Sequence, residues 1–383
     1  MNNPNPVDVF LSAAEGLAAH AVQLDASRAL FPGGRNGPYF DIESPVRNTA
    51  HALAAMAIAH RVSGSTHFAD CGRLLAGFLL SDDNYLIGGL HVHRHTRGKD
   101  SSNGIIGPAW VIEALAAAGR FLDHETALRR AAQMADAQPF DEGALLWQRL
   151  GPDGRPSSVD RTLNHQVAFA VALQSTRDTP DERVTSFLHH LESGGLRVES
   201  NGLLVHHVPR RDEVARRLLK RRERALRAAA NSPRLATIRR RGLGKQHPSS
   251  ERDLGYHLYT LFCLARLKTL RPIDRLWESH DLTNAVTLAA SDGWLSSLDG
   301  NPFAYPYNAP GFELPLVANV FHDINAPLQI AADAALRRQL EATWDGDANL
   351  FAASTPDPLT LSARCFELGY SALIPTRTEG PHT

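Results

Sequence analysis

The stretch Val159–Leu173 reads Val-Asp-Arg-Thr-Leu-Asn-His-Gln-Val-Ala-Phe-Ala-Val-Ala-Leu, and as a helix it is apolar on nearly every side. Leu163, Val167, Ala170 and Val171 fill one face, while Ala168, Phe169 and Ala172 fill much of the other. A helix of that kind must be covered all round. Yet Arg161, Asn164 and His165 stand at its N-terminal end, where desolvated polar groups need partners or a cavity. This pairing of a greasy body with a polar start limits the chain to architectures in which helices are enclosed on all sides and open at one end.

Five further stretches share the design. One starts at Ser44 as cap with Pro45 at the first helical position and carries Arg47 and His51 into an alanine-rich run. Another opens at Asn103 and passes through Trp110 and Glu113. The rest start at Asp253 (with Tyr256 and His257), at Glu313 and at Pro358. In the helix of Asn164, Ser157 and Asp160 are placed to form a capping box. Amphipathic helices are expected between these six, at about 6–20, 66–80, 124–136, 182–193, 271–290 and 330–342. Six buried helices alternating with six half-exposed ones predict an all-α chain folded as an (α/α)6 toroid, a single domain spanning 1–383. A solenoid that fails to close gives the same pattern. Alternating segments around Asp153-Gly154 and Asn201-Gly202 predict short β-hairpins on the rim.

Composition narrows the function classes. The formal net charge is −1, but Pro209–Lys245 holds 14 Lys/Arg against 3 Asp/Glu. The local excess is thus +11 and the remainder −12, which speaks of partners rather than fold. We read a basic helical insertion at about 209–250, either a solvated surface helix or a clamp for an anionic polymer. The run lacks aromatic residues, so nucleic acid is not the expected partner. Cys71, Cys263 and Cys365 lie far apart, which suits reduced thiols and gives no disulfide or zinc spacing. The N-terminus lacks the pattern of a signal peptide, and no stretch of about 18 uncharged apolar residues exists. A cytoplasmic protein without a membrane span is expected.

Several residues can carry chemistry. Asn164 and His165 are either a hydrogen-bonded structural pair or an amide that holds a carboxylate beside an imidazole that removes a proton. Tyr256 and His257 repeat the theme, with the phenol as a candidate general acid or else as a core aromatic. Glu113 is the lone charge of its apolar run, so it is paired, protonated or facing a cavity, with Arg47 or Arg161 as candidate partners. His91, His93 and His95 alternate on an extended segment, but no acidic or thiol ligand stands at metal spacing, and we assign no metal. Substrate contact by His93, Arg94, Arg97 and Lys99 fits this loop better. The aromatic loop with Tyr305 and Tyr307, leading to Glu313, suits stacking on sugar rings or sealing the toroid. Glu313 and Glu367 are candidate second carboxylates for a hydrolase that uses Glu113.

The segments NGPYFDIESPVRNTAHAL, SSNGIIGPAWVIEALA, RTLNHQVAFAVAL, NAPGFELP and PLTLSARCFEL together resemble the AglQ-type proteins of polysaccharide gene clusters, over about residues 35–370. The resemblance implies a helical toroid tied to exopolysaccharide production or processing. More distantly, Asn164-His165 is similar to part of the Asn-Asn-His-Gly-Thr-Trp motif of α/α-toroid uronate lyases. That likeness implies Asn164 neutralising a uronate carboxylate, His165 abstracting the C5 proton and Tyr256 protonating the leaving oxygen. The function expected is β-elimination of an anionic oligo- or polysaccharide without a cofactor, with Arg47, His51, His93, Arg94, Arg97, Lys99, Trp110, Arg161, His257, Tyr305, Tyr307 and Glu313 around the substrate. A glycoside hydrolase, a uronate epimerase and a non-catalytic glycan-assembly factor are the alternatives.

Overall fold

The computed structural model describes residues 4–81, 86–87, 90–151, 153–230, 250–325 and 327–374, with the side chains of 86–87 and 221–230 left aside. In chain order the helices are α1 (Pro6–His20), α2 (Pro45–Ser63), α3 (Thr66–Leu80), α4 (Ile106–Phe121), α5 (Glu125–Ala137), α6 (Leu163–Ser175), α7 (Glu182–His190) and α8 (Arg211–Ala230). They continue with α9 (Glu251–Leu270), α10 (His280–Ala289), α11 (Asp292–Ser297), α12 (Pro310–Val320), α13 (Leu328–Thr343), α14 (Pro358–Ala363) and α15 (Phe366–Ala372).

Helix α2 packs on α4, α4 on α6, α6 on α9, α9 on α12, α12 on α15, and α15 returns to α2. The ring therefore closes, and the architecture is an (α/α)6 toroid rather than an open solenoid. Each inner helix has an outer partner: α3 covers α2, α5 covers α4, α7 covers α6, α10 covers α9, α13 covers α12, and α1 covers α15. An inner helix is thus enclosed by two ring neighbours and one outer helix, which is why its sequence is apolar all round. Alanine dominates where neighbours approach: Ala50, Ala52, Ala54, Ala55, Ala57 and Ala59 of α2 are all buried. Small side chains let helix axes come to within about 8–10 Å of one another.

The strands are short: β1 (Val22–Gln23), β2 (Ala29–Leu30), β3 (Leu86–Ile87), β4 (Leu90–His91), β5 (Phe140–Asp141), β6 (Leu146–Leu150) and β7 (Pro156–Val159). All pair antiparallel, β1 with β2, β3 with β4, and β5–β6–β7 as one small sheet. Trp147 of β6 is fully buried against Phe169 of α6 and Phe187 of α7, with both ring separations at 5.3 Å. Burying aromatic side chains of this size is worth about 2–3 kcal/mol each, enough to fix the sheet against the ring.

Three local expectations are corrected. Residues 271–290 do not form one helix: a 3-10 turn at Arg275–Glu278 precedes α10. The run from Pro358 breaks at Arg364-Cys365, because the Arg364 amide is shared between Thr360 O and Leu361 O and tightens the turn. Asp160 makes no capping box with Ser157; its carboxylate accepts from the Thr162 amide at 3.0 Å. Helix α8 occupies the first part of the basic segment, and residues 231–249 lie outside the described residues. Cys263 and Cys365 are buried thiols, Cys71 a partly covered one.

Candidate functional site

The N-terminal ends of the inner helices converge on a cup of about 710 Å³. Arg47 and His51 reach it from α2, Ile106 and Trp110 from α4, Asn164 and His165 from α6, Arg252, Tyr256 and Tyr259 from α9, and Glu367 from α15. Tyr307 and Asn308 come from the loop before α12, and Arg364 from the break between α14 and α15. Because a helix presents unpaired N–H groups and the positive end of its dipole at its start, this convergence biases the cup toward negative charge.

His165 stands on the first turn of α6 with its Nδ1 3.0 Å from Asp160 Oδ2. Asp160 is inaccessible to solvent, and its carboxyl is held far below the usual range: against burial, the His165 hydrogen bond and charge pull it down, with help from Arg149 and the Thr162 amide. An ionised carboxylate only accepts, so His165 Nδ1 carries a proton, and in the neutral ring the lone pair is then on Nε2. Asp160 is itself clamped by Gln166, whose Nε2 donates to Asp160 O (2.6 Å) and Trp147 O (2.9 Å) while its Oε1 accepts from Trp147 N (2.9 Å). Gly104 completes the support. Its backbone lies at φ +67°, and a Cβ there would sit 2.5 Å from Asp160 Oδ2 and 3.4 Å from His165 Nδ1. Beside the pair, Asn164 is only 2% exposed, and its Oδ1 has no hydrogen-bond partner among the described residues.

A hydroxyl chain runs along another part of the wall. Tyr256 OH donates to Tyr307 OH (3.3 Å), and Tyr307 OH donates to Asn36 Oδ1 (2.9 Å). Tyr39 OH lies 3.1 Å from Tyr256 OH, so it is the donor at that link. Burial raises the Tyr256 phenol well above its ordinary value, which keeps it a neutral acid. Gly37, at φ +49°, makes room for this wall: a Cβ there would lie 2.1 Å from the Tyr307 ring. His206 packs against Tyr256 at 5.2 Å between ring centres, and burial lowers its pKa to about 4.

Two buried arginines form the base. Arg47 Nη1 donates to Asn36 Oδ1 (3.0 Å) and to Glu43 (3.1 and 3.2 Å), Nε donates to His51 Nε2 (3.3 Å), and the guanidinium lies 4.4 Å from the Trp110 ring centre. Arg364 bonds both oxygens of Glu367 (2.8 and 2.9 Å), Glu313 Oε1 (2.6 Å), Tyr307 O (2.6 Å) and Asn308 Oδ1 (3.0 Å). One guanidinium faces two buried carboxyls, and desolvation pushes both Glu313 and Glu367 above the carboxylate range despite it. Among the described residues Glu313 Oε2 has no hydrogen-bond partner, so Glu313 is the group that keeps a proton longest. At the rim, Lys99 Nζ reaches both oxygens of Asp41 (2.6 and 2.9 Å), and Arg94 lies 3.6 Å from one of them.

Of the residues singled out in the sequence, Arg47, His51, Arg94, Lys99, Trp110, Arg161, Asn164, His165, Tyr256, Tyr307 and Glu367 line the cup. Six do not. Glu113 lies a turn deeper on α4 than Trp110 and pairs with Arg266 of α9 at 3.3 Å, not with Arg47 or Arg161. Glu313 is fully buried behind Arg364. His257 is a structural residue: Nδ1 accepts from Leu204 N (3.2 Å), Nε2 donates to Ala285 O (3.1 Å), and burial lowers its pKa to about 4. His93 is fully buried with its ring edge-on to Trp110. Arg97 is exposed outside the lining, and Tyr305 faces a separate cleft shared with Arg338.

Residues the sequence reading missed include Asn36, Tyr39, Asp160, His206, Arg252 and Arg364. Arg364 had a signal, since a lone arginine in Leu-Ser-Ala-Arg-Cys-Phe meets the criterion that selected Glu113. His206 had only its place in a rim hairpin, which Leu163 N→His206 O (2.8 Å) fastens to α6.

No known protein-family model matches the chain. Among curated proteins it is 31% identical over 369 residues to archaeal glycosylation protein Q of Haloferax volcanii, an alignment covering 94% of this chain and 95% of that protein. Among solved structures it is similar to a cellobiose 2-epimerase from Bacillus thermoamylovorans (TM-score 0.58, 11% identity, 96% of this chain and 100% of that one). It is also similar to a sugar epimerase from a ruminal bacterium (TM-score 0.59, 12% identity, covering 95% and 97%). A third likeness is to an inactive α-1,6-mannanase variant of a Salegentibacter species in complex with α-1,6-mannotetrose (TM-score 0.55, 11% identity, covering 97% and 99%). These structures share the α/α-toroid fold with the chain.

Proposed function

This chain belongs to the family of archaeal glycosylation protein Q, and from that premise we propose that it is a carbohydrate-modifying enzyme that removes a proton from carbon in a uronate of an anionic glycan. The observation that carries this reading is the Asp160–His165 pair on the cup wall, whose second imidazole nitrogen has no hydrogen-bond partner among the described residues. A carbon acid beside a carboxylate becomes acidic enough only when that carboxylate is neutralised. The cup's cations supply this, and Asn164, which also lines the cup, can add a hydrogen bond to that carboxylate only through its side-chain N–H groups. Arg47, Arg94, Lys99, Arg149, Arg161, Arg252 and Arg364 line the cup against Asp41 and Glu367. The carboxyls that offset them, Glu43, Asp160, Glu213 and Glu313, stand outside the lining.

The favoured step is β-elimination. His165 Nε2 takes the C5 proton, the electron pair forms the C4–C5 double bond, the C4–O bond breaks, and Tyr256 gives its proton to the leaving oxygen. Epimerisation is the second reading, favoured by the neutral Tyr256 phenol, which can return a proton to C5 and regain one through the hydroxyl chain it shares with Tyr39. Hydrolysis has weaker support. It needs two available carboxyls across a bond, whereas Asp41 is held by Lys99, Glu367 by Arg364, and Glu113 lies outside the cup.

Incubation with oligouronides in deuterated water distinguishes these outcomes. Elimination yields products absorbing near the ultraviolet edge, and epimerisation places deuterium at C5, seen by NMR. New reducing ends with neither signature would establish hydrolysis and overturn the proposal. Unimpaired glycan assembly by His165→Ala in a complementation assay would instead favour a non-catalytic factor.

A further inference from the structure

Two separate elements of the rim expose apolar side chains among cations. The first is the loop after the 3-10 turn Gly37–Tyr39. Tyr39 and Asp41 line the cup, whereas Phe40 and Ile42 are 65% and 70% exposed. Phe40 holds a left-handed backbone at φ +51°, a conformation costly for an aromatic residue, and the Asp41 contacts with Lys99 and Arg94 pin the loop. The basic segment lies alongside, since His95 N donates to Ile42 O (3.3 Å) and Glu43 bridges Arg94; Arg97 and Lys99 follow, both exposed. The second element is α8. It is rooted at the rim by Arg161, which lines the cup and reaches Glu213 at 2.5 Å while its backbone carbonyl accepts from Val208 N. The residue after Glu213, Val214, is buried, but one turn further on Leu218 and Leu219 are 51% and 59% exposed between Arg216, Arg217 and Lys220.

We propose that this rim docks on an anionic lipid surface, Phe40, Ile42, Leu218 and Leu219 entering the interface while the flanking cations meet headgroups, so that the cup mouth opens beside the membrane. The charge complementarity extends into the sequence, where Pro209–Lys245 carries 14 basic residues against 3 acidic. The exposed aliphatic and aromatic groups select a lipid surface over a nucleic acid, which gains nothing from leucines beside its phosphates. The inference is independent of the chemistry in the cup.

Vesicle flotation tests it on the full chain, using phosphatidylcholine alone and phosphatidylcholine with about one-third phosphatidylglycerol. Binding is expected only to the anionic vesicles, weakening about tenfold or more on raising salt from about 0.1 M to about 0.5 M. Phe40→Asn with Ile42→Gln, and separately Leu218→Gln with Leu219→Gln, are each expected to weaken it about tenfold while melting and oligouronide turnover stay unchanged. Asparagine tolerates the left-handed backbone at position 40, and two independent variant pairs guard against one misfolding. His165→Ala is expected to bind vesicles normally, which separates this inference from the catalytic one. Absence of vesicle binding, equal binding to neutral vesicles, or anionic binding that both pairs leave intact and DNA displaces would each overturn it.

Discussion

His165 is held by a neighbour, Asp160, whose own position is set by Gln166, Thr162 and Gly104. Asp160→Asn keeps the shape of the pair but lets an amide N–H meet Nδ1, which favours the tautomer with its proton on Nε2. We expect kcat on oligouronides to fall about 10²-fold or more with KM little changed, and His165→Ala to fall at least as far. Equal kcat for Asp160→Asn and the parent would remove His165 from the base role. Arg364 tests the base of the cup in another way. Arg364→Met leaves Glu313 and Glu367 facing each other without a cation, and stability measured by urea unfolding is expected to drop by about 3–5 kcal/mol.

Away from the cup the inner helices are closely packed, and Glu113 and His257, two polar groups they carry there, are paired. Ala116 of α4 is fully buried. Ala116→Leu forces methylenes into occupied space and is expected to cost about 1–3 kcal/mol in denaturant melts, whereas the same change at the exposed Ala215 of α8 should be close to neutral. The loop before α4 is equally exacting for a different reason. Gly104→Ala places a methyl against the Asp160 carboxylate in a left-handed backbone, so both stability and kcat are expected to fall. A normal kcat in a folded Gly104→Ala protein would argue against the Asp160–His165 distance mattering.

The toroid buries titratable groups of opposite tendency, and this shapes its dependence on pH. His51, His93, His206 and His257 are all lowered by burial, the last two to about 4. The unfolded chain binds their protons near pH 6.5 and the folded chain does not, so stability is lost as pH falls from 6.5 toward 4, by about 3 kcal/mol for His257 alone. Glu313 and Glu367 are raised, so their contribution is complete below pH 4.5 and is lost as pH rises through their folded pKa values. Thermal melts are therefore expected to show maximal stability near pH 6.5, with a shallower decline on the alkaline side. Glu313→Gln should flatten that decline, and an unchanged slope would show that the buried pair does not titrate there.

The alternation of buried with half-exposed elements and the polar starts of six helices were legible from the order of residues, because periodicity and capping are properties of a few turns of chain; the breaks at Arg275–Glu278 and Arg364-Cys365 were not. Asn164, His165 and Tyr256 could be singled out on the same grounds. Closure of the ring is not local: it depends on α15 meeting α2 and on α1 covering α15 across the length of the chain. Which charges meet was decided there too. Glu113 found Arg266 and Arg364 found Glu313, partners separated by 153 and 51 residues. Low-dielectric pairing depends on distance in space, and only the folded ring fixes those distances.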